Sequence, residues 1–110
     1  MVDLGNMTTV IIGLLKRGPR AAEWDEKPDE LAQLQQAHLA NNVRLAEMGK
    51  LVVAGPFMDD GFWRGVFVFN VESVAEAEEL VASDPSVQAG RLDFELHPWM
   101  IEKGVIRGVE

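Results

Sequence analysis

The run Thr8 to Leu15 (TTVIIGLL) is β-branched and apolar on both alternating faces, which predicts a first strand, and Gly18-Pro19 stops it. From Gly18 to Lys27 the chain turns polar and irregular around a lone Trp24, the pattern of a loop long enough to cover a pocket. Pro28, at a first helical position, and Asp29 and Glu30, in the first turn, open a long helix. Its apolar stripe is predicted to hold Leu31, Leu34, Leu39, Leu45 and Ala46, and Met48-Gly49 to close it through a left-handed glycine cap.

Leu51 to Phe57 and Gly65 to Val71 read as two strands joined at the turn residues Asp59-Asp60-Gly61, hence an antiparallel hairpin. Ser73-Val74-Ala75-Glu76 has the form of a capping box, in which the serine accepts from an early helix N–H and the glutamate reaches back. The helix it starts buries Val74, Ala77, Leu80 and Val81 and runs to about Ser83. Asp84-Pro85 opens a one-turn segment that Gly90 ends, and Leu92 to His97 alternates strictly as a fourth strand.

The order βαββαβ predicts an α+β, ferredoxin-like sandwich: a four-stranded antiparallel sheet with both helices on one side. Val66 and Val68 point one way and Phe67, Phe69 and Val71 the other, so helices on one side leave an apolar face uncovered. Such a patch predicts face-to-face packing with a second copy, a homodimer or larger homo-oligomer.

The length of 110 residues fits one domain, 1–110, with its core at about 8–99, the loop at 18–27 and a C-terminal tail at 100–110. A net charge of -8 would repel a nucleic-acid backbone or an anionic membrane, and the cluster Lys16, Arg17, Arg20 is cancelled by Glu23, Asp25 and Glu26. With no cysteine, disulfides and thiolate chemistry are excluded. The run Val10 to Leu15 is too short for a membrane span or an export signal, so the expected location is cytoplasmic.

Two residues carry candidate chemistry. His38 lies seven residues from Leu31 and Leu45 and four from Leu34, against the sheet, where it is either a neutral core imidazole with one partner or a general acid/base. Asp84 is at least an N-cap; a carboxylate that also reached an imidazole would fix its tautomer and stabilise its protonated form. Gly55-Pro56-Phe57 interrupts a strand, as a bulge or a close backbone approach to a ligand would. Arg44 and Arg64 are candidates for an anionic substrate, and Met48, Met58, Phe62 and Trp63 for an apolar lining. His97 lies on the polar face of the last strand, and two histidines without metal-ligand spacing predict no metal site. No phosphate-binding glycine loop or G-x-S-x-G pattern occurs, so no cofactor is expected.

Taken in order, His38-Leu39, Gly49-Lys50-Leu51, Ala54-Gly55-Pro56, the Ser73 to Leu80 helix, Asp84-Pro85, Ala89-Gly90 and His97-Pro98-Trp99 resemble the YCII-related (YciI-like) family from Thr8 to Trp99. The resemblance implies a ferredoxin-like unit that pairs through its sheets into a dimeric α/β barrel. It also implies a His-Asp pair in a pocket between helix and sheet, at His38 and Asp84 here, with Gly55, Pro56, Phe57, Arg44 and Trp99 as candidate substrate contacts. A member similar to the family acts as a dehydrochlorinase on a chlorinated hydroxyhydroquinone. The segment 18–27 and the tail 100–110 depart from shorter members, a difference expected to reshape the pocket. The expectation is a cofactor-independent enzyme of lyase or isomerase type acting on a small molecule; the alternatives are a ligand-binding or regulatory dimer without a reaction, and a purely structural dimer.

Overall fold

The computed structural model describes residues 4–110. A 3-10 turn at Leu4–Asn6 leads into β1 (Met7–Arg17), followed by α1 (Ala21–Asp25), α2 (Pro28–Glu47), β2 (Leu51–Pro56) and β3 (Trp63–Phe69). Then come α3 (Val74–Ala82), α4 (Pro85–Gln88) and β4 (Leu92–Glu102). The four strands form one antiparallel sheet in the order β2-β3-β1-β4, so the expected α+β, ferredoxin-like topology is present. No helix among the described residues is long and apolar enough to cross a membrane.

Residues paired across antiparallel strands share a face, so the register sorts the sheet into two sides. On one side Ile11, Leu15, Phe67, Phe69, Leu51 and Leu92 pack with Leu45 of α2 and Ala77 and Val81 of α3 into the main core. On the other, Val10, Val68 and Ile101 form a second cluster. Residues after β4 supply its cover: Ile106 and Val109 pack on it, and Val109 is buried. The tail thus takes part of the face that the sequence left open. Beside it Ile12, Leu14 and Val66 are half-buried, and Val53 and Trp99 are exposed.

Several local expectations change. The segment expected as an irregular loop at 18–27 contains α1, and its tryptophan indole N–H donates to the Ala89 carbonyl at 3.1 Å. Strand four does not stop at His97; it runs five residues further, to Glu102, because the whole length of β1 pairs with it, from Met7 opposite Glu102 to Arg17 opposite Leu92. The helix α2 buries Asn41 and Leu45, while Leu39 is 59% exposed and Ala46 is exposed. Its inward line therefore reads 31, 34, 38, 41, 45, a three-four spacing with two polar residues in it, and an apolar-only reading shifts the stripe by one residue. Gly49 takes the expected left-handed conformation, with φ at +74°.

Half of the capping box forms. Ser73 Oγ accepts from the Glu76 N–H at 3.1 Å, but the Glu76 carboxylate pairs with Lys50 Nζ, also at 3.1 Å. That contact ties α3 to the start of β2. The strand interruption sits one turn of the ladder earlier than expected: the register slips between Leu51 and Val53, whereas Gly55 and Pro56 pair regularly with Val66 and Gly65.

Candidate active site

His38 projects from the middle of α2 toward the sheet and lies 26° from parallel with the Phe67 ring, centroids 6.1 Å apart. Its Nδ1 is 2.7 Å from Asp84 Oδ2 and 2.9 Å from Oδ1. Asp84 is almost wholly buried, and its Oδ1 also accepts the backbone N–H of Ser86 at 2.8 Å as the N-cap of α4. The cap and the imidazole contact, alternatives in the sequence, coexist on one carboxylate. An ionised carboxylate only accepts, so Nδ1 carries the proton and donates to it. This leaves Nε2 as the basic nitrogen, on the other side of the ring, with Asn42 Nδ2 at 3.5 Å. Asn42 Oδ1 is buried without a protein partner.

Both His38 and Asn42 line a cavity of about 270 Å3 between α2 and the sheet. Leu15, Ala21, Leu39, Phe67 and Leu92 supply apolar wall, Ala54 to Phe57 one rim, and Arg17, Arg64 and Arg91 charge. Gly55, Pro56 and Phe57 thus line the cavity. Arg44 is elsewhere. Its Nη2 donates to Asn41 Oδ1 at 2.8 Å and Ser83 Oγ at 3.3 Å, bracing α2 against the end of α3. Trp99 is elsewhere too, on the opposite face of the sheet opposite Val10. His97 shares that face and pairs with Glu95 at 3.6 Å. Met58 is fully exposed, and Met48, Phe62 and Trp63 do not line the cavity. Among the described residues no three His, Asp or Glu side chains gather where a metal ion could be held.

Of the segment 18–27, Ala21 lines the cavity. Gly18 N–H donates to the Arg91 carbonyl at 2.7 Å and Arg20 N–H to that of Gly90 at 2.8 Å, holding the start of the segment to the loop before β4. A Cβ on Gly18 would collide with the Gly90 carbonyl, so this approach needs glycine. Sequence reasoning missed Arg17, Asn42 and Arg91. Asn42 was within reach of the rule that residues four apart on a helix are neighbours, since it follows His38 by four. The arginines carry no such signal, because strand pairing alone brings them together.

Residues 11–100 match the YCII-related domain. The chain belongs to that family. No curated protein sequence matches it. Among solved structures, the chain is similar to 5-chloro-2-hydroxyhydroquinone dehydrochlorinase from Burkholderia phenoliruptrix AC1100, solved in complex with 2,5-dihydroxybenzoquinone. The two share 23% identity with a TM-score of 0.59, and the match covers 86% of this chain and 95% of that one. At this identity the likeness speaks for the fold, the ferredoxin-like unit of the dimeric α/β barrel class.

Proposed function

We propose that this YCII-related protein is a cofactor-independent enzyme in which His38 Nε2 moves a proton on a small organic substrate while Asp84 orients and charges the imidazole. The observation that carries this reading is the pairing of Nδ1 with a buried, twice-engaged carboxylate, with Nε2 turned away from it and held only by the long 3.5 Å contact with Asn42 Nδ2, in a residue that lines the cavity. A proton taken by Nε2 from a substrate O–H or C–H leaves an electron pair that either expels a leaving group or shifts a double bond, which is lyase or isomerase chemistry. The imidazolium formed is stabilised by Asp84. The dehydrochlorinase activity of the structural neighbour is consistent with this type of reaction.

We further propose that two copies pair through the open part of the far face, where Ile12, Leu14, Val66, Val53 and Trp99 lie beside the tail. Light scattering on the eluted protein at micromolar concentration tests this, and a monomer would refute it.

The chemical reading is tested on a panel of hydroxylated quinols and enolisable compounds, including 5-chloro-2-hydroxyhydroquinone, followed by solvent deuterium uptake and chloride release. Folded His38→Ala and Asp84→Asn variants should both lose about 10²- to 10⁴-fold in rate. Retained turnover in both variants sinks the proposal. A ligand that binds in the cavity and returns unchanged, without exchange, favours a binding module.

A further inference from the structure

Arg17 ends β1, Arg91 immediately precedes β4, and Arg64 lies near the start of β3. With the strand order β3-β1-β4, three adjacent strands each deliver one guanidinium to the same end of the sheet, and all three line the cavity that holds His38. In a chain of net charge -8 this is a local reversal of sign. Two of the three are answered from within: Arg17 Nη2 meets Asp25 at 2.8 Å and Arg64 Nη1 meets Asp60 at 3.1 Å. Arg91 bonds only a neutral amide among the contacts described, Gln35 Oε1 at 3.3 Å. Burial, and then the neighbouring charge of Arg64, lower its proton affinity from the ordinary arginine value. By direct pairing, three cations against two carboxylates leave one positive charge, which the Asp25 carboxylate offsets at Arg91 only through its field and not by a hydrogen bond, and partial burial of Arg91 makes that surplus costly unless a ligand neutralises it.

We propose that Arg17, Arg64 and Arg91 hold the carboxylate of a small organic monoanion, so that the substrate class of the His38–Asp84 site is a compact carboxylic acid. The inference rests on the reading of that site as a substrate pocket. A single surplus charge matches a monoanion better than a phosphate dianion, and planar guanidinium forks match the two oxygens of a carboxylate. The cavity of about 270 Å3 is at the small end of the range for small-molecule sites, which suits a molecule of about one ring. With its anionic end fixed at the arginines, the rest of the molecule extends along the apolar wall of Leu15 and Phe67 toward the His38 ring.

The test compares benzoate with benzamide, a neutral probe of nearly the same shape, in NMR titrations of the full chain at low salt. Benzoate should perturb the guanidinium N–H signals of Arg17, Arg64 and Arg91 and bind roughly tenfold more tightly than benzamide. Arg91→Gln should weaken benzoate by about tenfold and leave benzamide unchanged, whereas Arg107→Gln, the same charge removed from an exposed tail position, should alter neither. Arg64→Gln serves the same purpose should Arg91→Gln fail to fold. Equal affinity for the two probes, no benzoate response at millimolar probe, or identical losses in Arg91→Gln and Arg107→Gln would each overturn the proposal. Proton transfer is not read here: benzoate selectivity that survives in His38→Ala upholds the arginine site whatever becomes of the base. Turnover of uncharged substrates without benzoate selectivity removes the arginine site alone.

Discussion

The carboxylate of Asp84 lies 2.7 Å from His38 Nδ1 while it caps α4 through the Ser86 N–H, so one buried side chain serves both the imidazole and the local backbone. The cap fixes where the carboxylate points. It thereby fixes which nitrogen of the imidazole the carboxylate engages and which one points away from it. The same turn, through Ala89 and Trp24, also anchors α1, whose Ala21 lines the cavity.

Removing that carboxylate should therefore cost more than a cap alone. Asp84→Ala is expected to lower stability by about 2 to 4 kcal/mol, combining a cap with a charge-assisted contact. Asp84→Asn, which can still accept from Ser86, should lose less. Ser86 supplies a control, since its hydroxyl is buried without a protein partner and only its backbone is used, the N–H donating to Asp84 and the carbonyl accepting from the Arg91 N–H at 3.0 Å. Ser86→Ala should stay within about 0.5 kcal/mol of the parent, or gain. Urea denaturation of the three variants decides, and a Ser86→Ala loss equal to that of Asp84→Ala would contradict this account.

The anchoring of α1 is separately testable. Trp24 Nε1 donates to Ala89 O at 3.1 Å, and Lys27 Nζ lies 5.9 Å from the indole ring centre. Trp24→Phe keeps most of the apolar area and loses the donor, at a cost of about 1 kcal/mol. Because few buried contacts hold a five-residue helix, the loss should appear as local opening. Hydrogen exchange should accelerate at 18–27 while the β1 and β4 amides keep their protection; uniform acceleration would argue against local anchoring.

The topology and the His38 face were legible because both rest on short-range periodicity: two strand hairpin partners, two amphipathic helices, one histidine seven residues from each of two leucines. Even there, Asn41 on the inward line of α2 broke the apolar rule and displaced the predicted stripe to Leu39 and Ala46. The contact of His38 with Asp84 spans 46 residues, and only family resemblance pointed to it. The arginine cluster had no local signature, because Arg17, Arg64 and Arg91 come to one end of the sheet through strand order; of the two arginines singled out in the sequence, Arg64 lines the cavity and Arg44 does not. The tail was read as an appendage because Ile106 and Val109 are too sparse to show a period, yet they cover the far side of the sheet.

Acid pH should act on the Arg17–Asp25 pair in a defined direction. A hydrogen bond from Arg17, aided by the charges of Arg17, Arg91 and Arg64, holds the Asp25 carboxyl below the ordinary aspartate value. A depressed folded value means that whatever the pair contributes is complete above the unfolded-state range near pH 3.9 and is lost as pH falls through the lower folded value. Carbon-detected NMR titration of the Asp25 carboxyl should show the depression in the parent chain and its partial reversal in Arg17→Gln. No change between the two would mean that Arg17 is not the cause.

Val109 makes the opposite demand on the chain, since it is 2% exposed yet lies beyond the last strand and packs on Val10 and Val68. Introducing a charge there forces either burial of an unpaired carboxylate or release of the tail, and release is the cheaper outcome. Val109→Asp should cost about 2 to 3 kcal/mol and expose Val10 and Val68. A sheet face newly stripped of its cover is larger and more apolar than the strip that remains beside the tail in the intact chain. The variant should therefore bind an environment-sensitive hydrophobic dye and shift toward larger assemblies in light scattering, whereas Val105→Asp, at a position already 71% exposed, should do neither. Equal behaviour of the two variants would show that the tail does not seal this face in solution.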